Sequence, residues 1–143
     1  MIAPDHVRSA LPTNDELLTA LRGHYLHGPL CVQAFGLAEL HRLRRVDPDR
    51  AGKIDDFRGE LVGEIDGWIA RHLAQSAGAR LHPETLGTVI DRVAAAADHA
   101  FALLAIDPGT PRMHAAWARL AELEIAYGEL VTAIGAGLRR LPV

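Results

Sequence analysis

Proline-bearing breaks decide what this chain can fold into. Gly28-Pro29, Asp47-Pro48, Pro83 and Asp107-Pro108-Gly109-Thr110-Pro111 cut the sequence into long stretches in which apolar residues return every three or four positions. Proline lacks the N–H that a helix interior needs, but its fixed φ suits a first helical turn, so each break reads as the end of one helix and the start of the next. The spacing predicts long helices over 29–46, 48–75, 84–106 and 112–141. A further stop at Ser76-Ala77-Gly78-Ala79 precedes the third of these. Thr13 followed by Glu16 is a capping-box pattern and predicts a short helix over 13–23, with residues 1–12, which carry Pro4 and Pro12, as an N-terminal arm.

Helices of these lengths span about 25 to 45 Å, so they match one another well enough to pack side by side. The expected fold is therefore all-α, an up-and-down four-helix bundle with a short additional N-terminal helix, in a single domain over residues 1–143. Composition agrees: 24 alanines against few β-branched and aromatic residues favour helix over strand.

The predicted stripes are Leu30, Ala34, Leu37 and His41 on the second helix, and Ile54, Phe57, Leu61, Ile65, Trp68 and Ile69 on the third. The fourth carries Leu86, Val89, Ile90, Val93, Ala97, Phe101 and Leu104. The fifth carries Met113, Trp117, Leu120, Leu123, Tyr127, Val131, Ile134 and Leu138. Phe35, Leu43 and Val46 lie on a second side of the second helix, and a helix apolar on two sides is either central or at an interface, so a homodimer is expected.

A net charge of −3 without blocks of like charge disfavours nucleic acid and membrane as partners. Cys31 stands alone, which excludes an intrachain disulfide and a cysteine-rich metal site. With no secretory leader pattern and no membrane-length apolar run, the chain reads as cytoplasmic. No paired Glu-x-x-His segments support a metal site, no cofactor motif occurs, and no nucleophile stands in a supporting local pattern, so no metal and no cofactor are expected.

The informative residues are polar ones in core-like positions. Arg58 falls inside the apolar stripe of the third helix, so its guanidinium either pairs with an acid within the bundle or snorkels to water. On the fourth helix Glu84, Gly87, Asp91, Ala94 and Asp98 form one row; Gly87 inside a helix points to close approach by a neighbour, bringing Asp91 within reach of an arginine. Glu84 also complements the dipole at the start of that helix. His41 and His72 sit on core stripes, and Glu124 interrupts the edge of the stripe beside Trp117. Asp56, Glu60 and Glu64 read as a solvated acidic row. Arg80, His82 and Thr85 gather at the start of the fourth helix, where free N–H groups can hold an anion, although Glu84 in the same turn opposes one.

Leu81-His82-Pro83-Glu84-Thr85-Leu86-Gly87-Thr88-Val89-Ile90-Asp91-Arg92, with Ile54-Asp55, Arg58, Ile65-Asp66, Trp117-x-x-Leu120 and Gly137-Leu138-Arg139-Arg140-Leu141-Pro142, resembles bacterial proteins of the domain of unknown function 4254 family. The most specific piece is Glu-Thr-x-Gly-x-x-Ile-Asp-Arg from Glu84 to Arg92. Where other members carry an Asn-x-x-Arg-Asn type pattern, this chain has Asp55-Asp56-Phe57-Arg58-Gly59, which matches through Arg58 and departs around it. The resemblance implies a helical fold and no agreed activity. The expected function is a binding or assembly module. The alternative is a small enzyme or binder of a small anionic ligand built on Arg58, Asp91, Glu84, His41 and Glu124.

Overall fold

The computed structural model describes residues 11–143. It is all-helical, with five helices packed together: α1 (Asn14–Leu21), α2 (Gly28–Val46), α3 (Ala51–His72), α4 (Leu86–Ile106) and α5 (Pro111–Gly135). Two short strands, β1 (Arg80–Leu81) and β2 (Arg139–Arg140), pair in parallel with Arg80 opposite Arg139.

Local chemistry sets the boundaries. Thr13 and Glu16 make the expected reciprocal capping box at α1. α1 then closes on Gly23 at φ +80°, with the His24 N–H reaching back to the Thr19 carbonyl, a turn that needs a residue tolerating left-handed backbone. Thr85 and Thr110 cap α4 and α5 by accepting the N–H groups of Thr88 and Met113.

Several expected boundaries are corrected. The third helix does not run from 48 to 75: Pro48–Arg50 is a 3-10 turn, α3 begins at Ala51 and it stops at His72. Asp47 ends α2 and makes no side-chain cap bond. Glu84 lies before the capping residue of α4, outside the helix. The fifth helix ends at Gly135 and not at 141, because Gly137 turns left-handed at φ +75° and the Leu138 N–H bonds back to the Ala133 carbonyl. The chain released by that turn forms β2 and returns Leu141 to the core. Of the expected arm over 1–12, residues 1–10 lie outside the described residues, while Leu11 and Pro12 are buried and the Pro12 carbonyl accepts the buried Tyr127 hydroxyl.

α4 is the hub. It packs against α5, α2 and α3, while α1 lies against α2, α5 and α4. Its buried face, including Leu86, Ile90, Val93, Ala97 and Leu103, meets Leu37, Ile65, Ile69, Leu120 and Tyr127 in one core. Each such large side chain contributes about 1.5 to 3 kcal/mol on burial. Phe57, Leu104 and Leu138, expected in stripes, are exposed instead. Phe35 spends the second apolar side of α2 partly within the chain: its ring lies where a Cβ on Gly23 would be, 2.9 Å from the nearest ring carbon.

Candidate functional site

A charged seam runs along the flank of α4 that faces α2 and α3. At its start, Asp66 of α3 accepts the Gly87 N–H at 2.8 Å. A Cβ at Gly87 would stand 2.7 Å from that carboxylate and from the Val62 carbonyl, so the helices approach this closely only over glycine. Next, Asp91 accepts from Arg58 through Nη2 at 2.6 Å and Nε at 3.3 Å, and pairs with His41 Nε2 at 2.8 Å. Arg58 also donates to Asp55 at 2.8 Å, and Asp55 accepts two bonds from Arg44. One turn beyond Ala94, Asp98 takes two bonds from Arg45 at 3.0 and 3.1 Å. Asp91 and Asp98 of the acidic row are thus helix–helix contacts and not part of a solvated surface.

Burial of Asp91 works against its ionisation. The hydrogen bonds from His41 and Arg58 and the Arg58 charge outweigh that penalty and hold the carboxyl below its usual range. An ionised carboxylate only accepts, so His41 presents Nε2–H to Asp91 and is left with Nδ1 as its other ring nitrogen. Asp91, already engaged by three donor atoms, is a poor proton acceptor. Arg44 and then Arg58 hold Asp55 low in the same way. With Arg58 and Asp91 side chains 25% and 17% exposed, the network lies at the rim of the core and is not sealed within it.

Of the residues singled out from sequence, the structure therefore brings together His41, Arg58 and Asp91. Glu84 is separate: it pairs with Arg92 on the surface, and that ion pair lowers its pKa. Glu124 is also separate, on α5, where burial and then the charge of Asp15 on α1 push its carboxyl up. His72, expected on a core stripe, is exposed at the end of α3, with Nδ1 on the Trp68 carbonyl and its ring stacked on the indole at 4.9 Å. Asp56, Glu60 and Glu64 are exposed, in accord with a solvated row. The start of α4 is already served, its first N–H groups being taken by Thr85 and by the negative charge of Asp66. Cys31 is buried, which pushes its thiol up and away from reactivity. No group of three or more His, Cys, Asp or Glu placed to hold a metal occurs among the described residues.

Sequence reasoning missed the pairings of Asp55 with Arg44 and of Asp98 with Arg45. It also missed a groove of about 560 Å³ between the end of α1, α2 and the C-terminal half of α4. Leu21, Phe35, Ala38, Phe101 and Leu104 line it, and the Arg45–Asp98 pair at the end of the seam forms part of its wall. Arg22 stands over the Phe101 ring at 4.7 Å, and Phe101 in turn meets Trp117 at 5.6 Å.

Fold and site together define an all-helical protein braced by a three-helix ionic seam. Residues 43–104 match the model of the family described as protein of unknown function (DUF4254), the family that the sequence resembles. The match covers somewhat under half of the chain. It takes in Arg44, Arg45, Asp55, Arg58, Asp91 and Asp98, and leaves out His41, Trp117 and the segment from Gly137 to Pro142. No curated protein and no solved structure matches the chain. Among the described residues no helix is long and apolar enough to cross a membrane.

Proposed function

We propose that the chain is a single-domain binding module, an up-and-down bundle of α2 to α5 with α1 added, whose ligand site is the groove on α1, α2 and α4. The observation that carries this reading is the contrast between the two polar regions. In the seam Asp55, Asp91 and Asp98 each already have a guanidinium and Asp66 holds the Gly87 N–H, so the seam is suited to hold three helices in register and not to do chemistry. The groove instead offers aromatic and aliphatic surface in a concavity of the size that small ligands occupy. Arg58, Asp91 and His41 do not line the groove; they serve it by holding together α2, α3 and α4, of which α2 and α4 form its walls.

The experiment is amide-resolved NMR titration with small neutral apolar probes such as decanol. Shifts are expected at Phe35, Ala38, Phe101 and Ala105, and Ala102→Trp, which fills the groove, should remove them. Shifts confined to the surroundings of His41 and Asp91 would move the site to the seam and support the rival, an enzyme or binder built on that cluster.

A second reading, assembly as a homodimer, is favoured by α5. This helix packs mainly on α4 and α1, and it leaves Ile125 60% exposed on its outer face, near the exposed Leu138. Light scattering at micromolar concentration should then give twice the chain mass and fall to the monomer on Ile125→Glu; a monomer in the parent protein removes this reading.

A further inference from the structure

We propose that the groove takes a small amphipathic carboxylate, a medium-chain fatty acid in its free form, with Arg22 as the residue that recognises the head group. The inference rests on the binding reading above and adds the ligand's chemistry.

The charge around the groove is unevenly spent. Three guanidiniums, on Arg22, Arg42 and Arg45, stand against two carboxylates, on Glu39 and Asp98, which leaves one positive charge in a chain of net charge −3. Two of the three are already paired: Arg42 donates to Glu39 at 3.1 Å and Arg45 holds Asp98 through two bonds. Arg22 alone has no carboxylate among the described residues. It is held by ring faces, 4.7 Å from the Phe101 centroid and 6.0 Å from that of Trp117. Cation–π contact orients a guanidinium without neutralising it, so its planar fork remains available to an incoming anion.

One unspent cation matches one negative charge. A carboxylate supplies that charge in a geometry the guanidinium can grip with two parallel bonds, whereas a phosphate dianion would meet Glu39 and Asp98 with only one free cation to offset it. Behind Arg22 the surface is apolar: Leu21, Phe35 and Phe101 first, then Leu104 and the 75% exposed Ile106 toward the end of α4. A hydrocarbon tail laid along this floor from a carboxylate on Arg22 would cover Leu104 and Ile106, which otherwise stand in water.

Decanoate and decanol have the same tail and differ in the head group, and calorimetric titration of the full chain with each separates the two parts of the claim. Decanoate is expected to bind one to one, with decanol about tenfold weaker or more, the difference expected of a charge-assisted pair. Arg22→Gln should bring decanoate down to the level of decanol and leave decanol unchanged, and Arg22→Lys should keep part of the preference. Arg22 is exposed at the end of α1, so these variants are expected to fold, and their melting temperatures check it. If decanol binds as tightly as decanoate and Ala102→Trp abolishes both, the groove remains a ligand site but the carboxylate assignment fails. If neither binds, or light scattering shows a second copy of the chain covering the groove, the proposal is overturned.

Discussion

Asp91 receives N–H groups from two helices at once, and its worth to the fold depends on keeping its charge. Replacing it by asparagine keeps the shape but turns a donor toward donors, so Arg58 loses its best partner and His41 loses the acceptor that orients it. Asp91→Asn is expected to cost about 1 to 3 kcal/mol at pH 7, read from urea denaturation. The pH dependence has a definite sign. A carboxyl held below its usual value in the folded state stabilises above its unfolded pKa, near 3.9, and loses that contribution as pH falls through the folded value. The gap between the parent and Asp91→Asn should therefore narrow below about pH 4; a gap independent of pH would mean that the charge of Asp91 does not matter. The Arg58–Asp91 contact could be read in the sequence because an arginine inside an apolar stripe needs an acid, and Asp91 lay on the row flanking the stripe of the next helix. The rest of the network could not be read from stripes alone. Its signal was the tight turn over 47–50. That turn folds α3 back along α2 as an antiparallel neighbour, which brings Asp55 on the first turns of α3 beside Arg44 on the last turns of α2.

At the scale of the element, the contact of α3 with α4 depends on one missing methyl group. Alanine suits a helix interior better than glycine by roughly 1 kcal/mol, so propensity alone predicts that Gly87→Ala stabilises. The Val62 carbonyl and the Asp66 carboxylate, each 2.7 Å from the new Cβ, decide otherwise, because backbone cannot step aside as a flexible side-chain end can. Gly87→Ala is expected to lower stability by about 1 to 3 kcal/mol as the helices are forced apart. Gly63 on α3 is the matched control, exposed and with nothing within 4 Å, and Gly63→Ala should raise the melting temperature by the amount that propensity predicts. Equal effects from the two would show that the close approach is unimportant. Gly87 was legible as a point of approach because glycine is rare inside an amphipathic pattern. Element ends were less so. The third helix was expected three residues too early and three too late, since hydrophobic period continues through a 3-10 turn and past a last turn without a mark. The groove was not legible at all: Phe101 fits a core stripe, Phe35 an oligomer face and Arg22 a helix end, and only their meeting across three helices gives them a common use.

Taken whole, the molecule is closed by a segment that the apolar period assigned to helix. After the turn at Gly137 the chain lays β2 beside β1, so the Arg80 and His82 N–H groups bond to the Leu138 and Arg140 carbonyls. Leu141 then enters the core, and its own backbone bonds to both ends of the Gln75 amide, the carbonyl accepting at 3.2 Å. This strap ties the end of α5 to the α3–α4 connection. Two residue pairs of strand carry little stability by themselves, so the buried leucine must hold the pairing in place. Leu141→Ala is expected to cost about 2 to 4 kcal/mol in global stability. It should also have a local consequence that a generic core truncation would not: the amides of Arg80 and His82 should lose hydrogen-exchange protection under conditions where those of α2, such as Leu37 and Ala38, keep theirs. A uniform loss across the molecule would instead make Leu141 an ordinary part of the core. Selective loss would identify β1 and β2 as a clasp that opens independently of the seam, leaving His41, Arg58 and Asp91 to hold α2, α3 and α4 together.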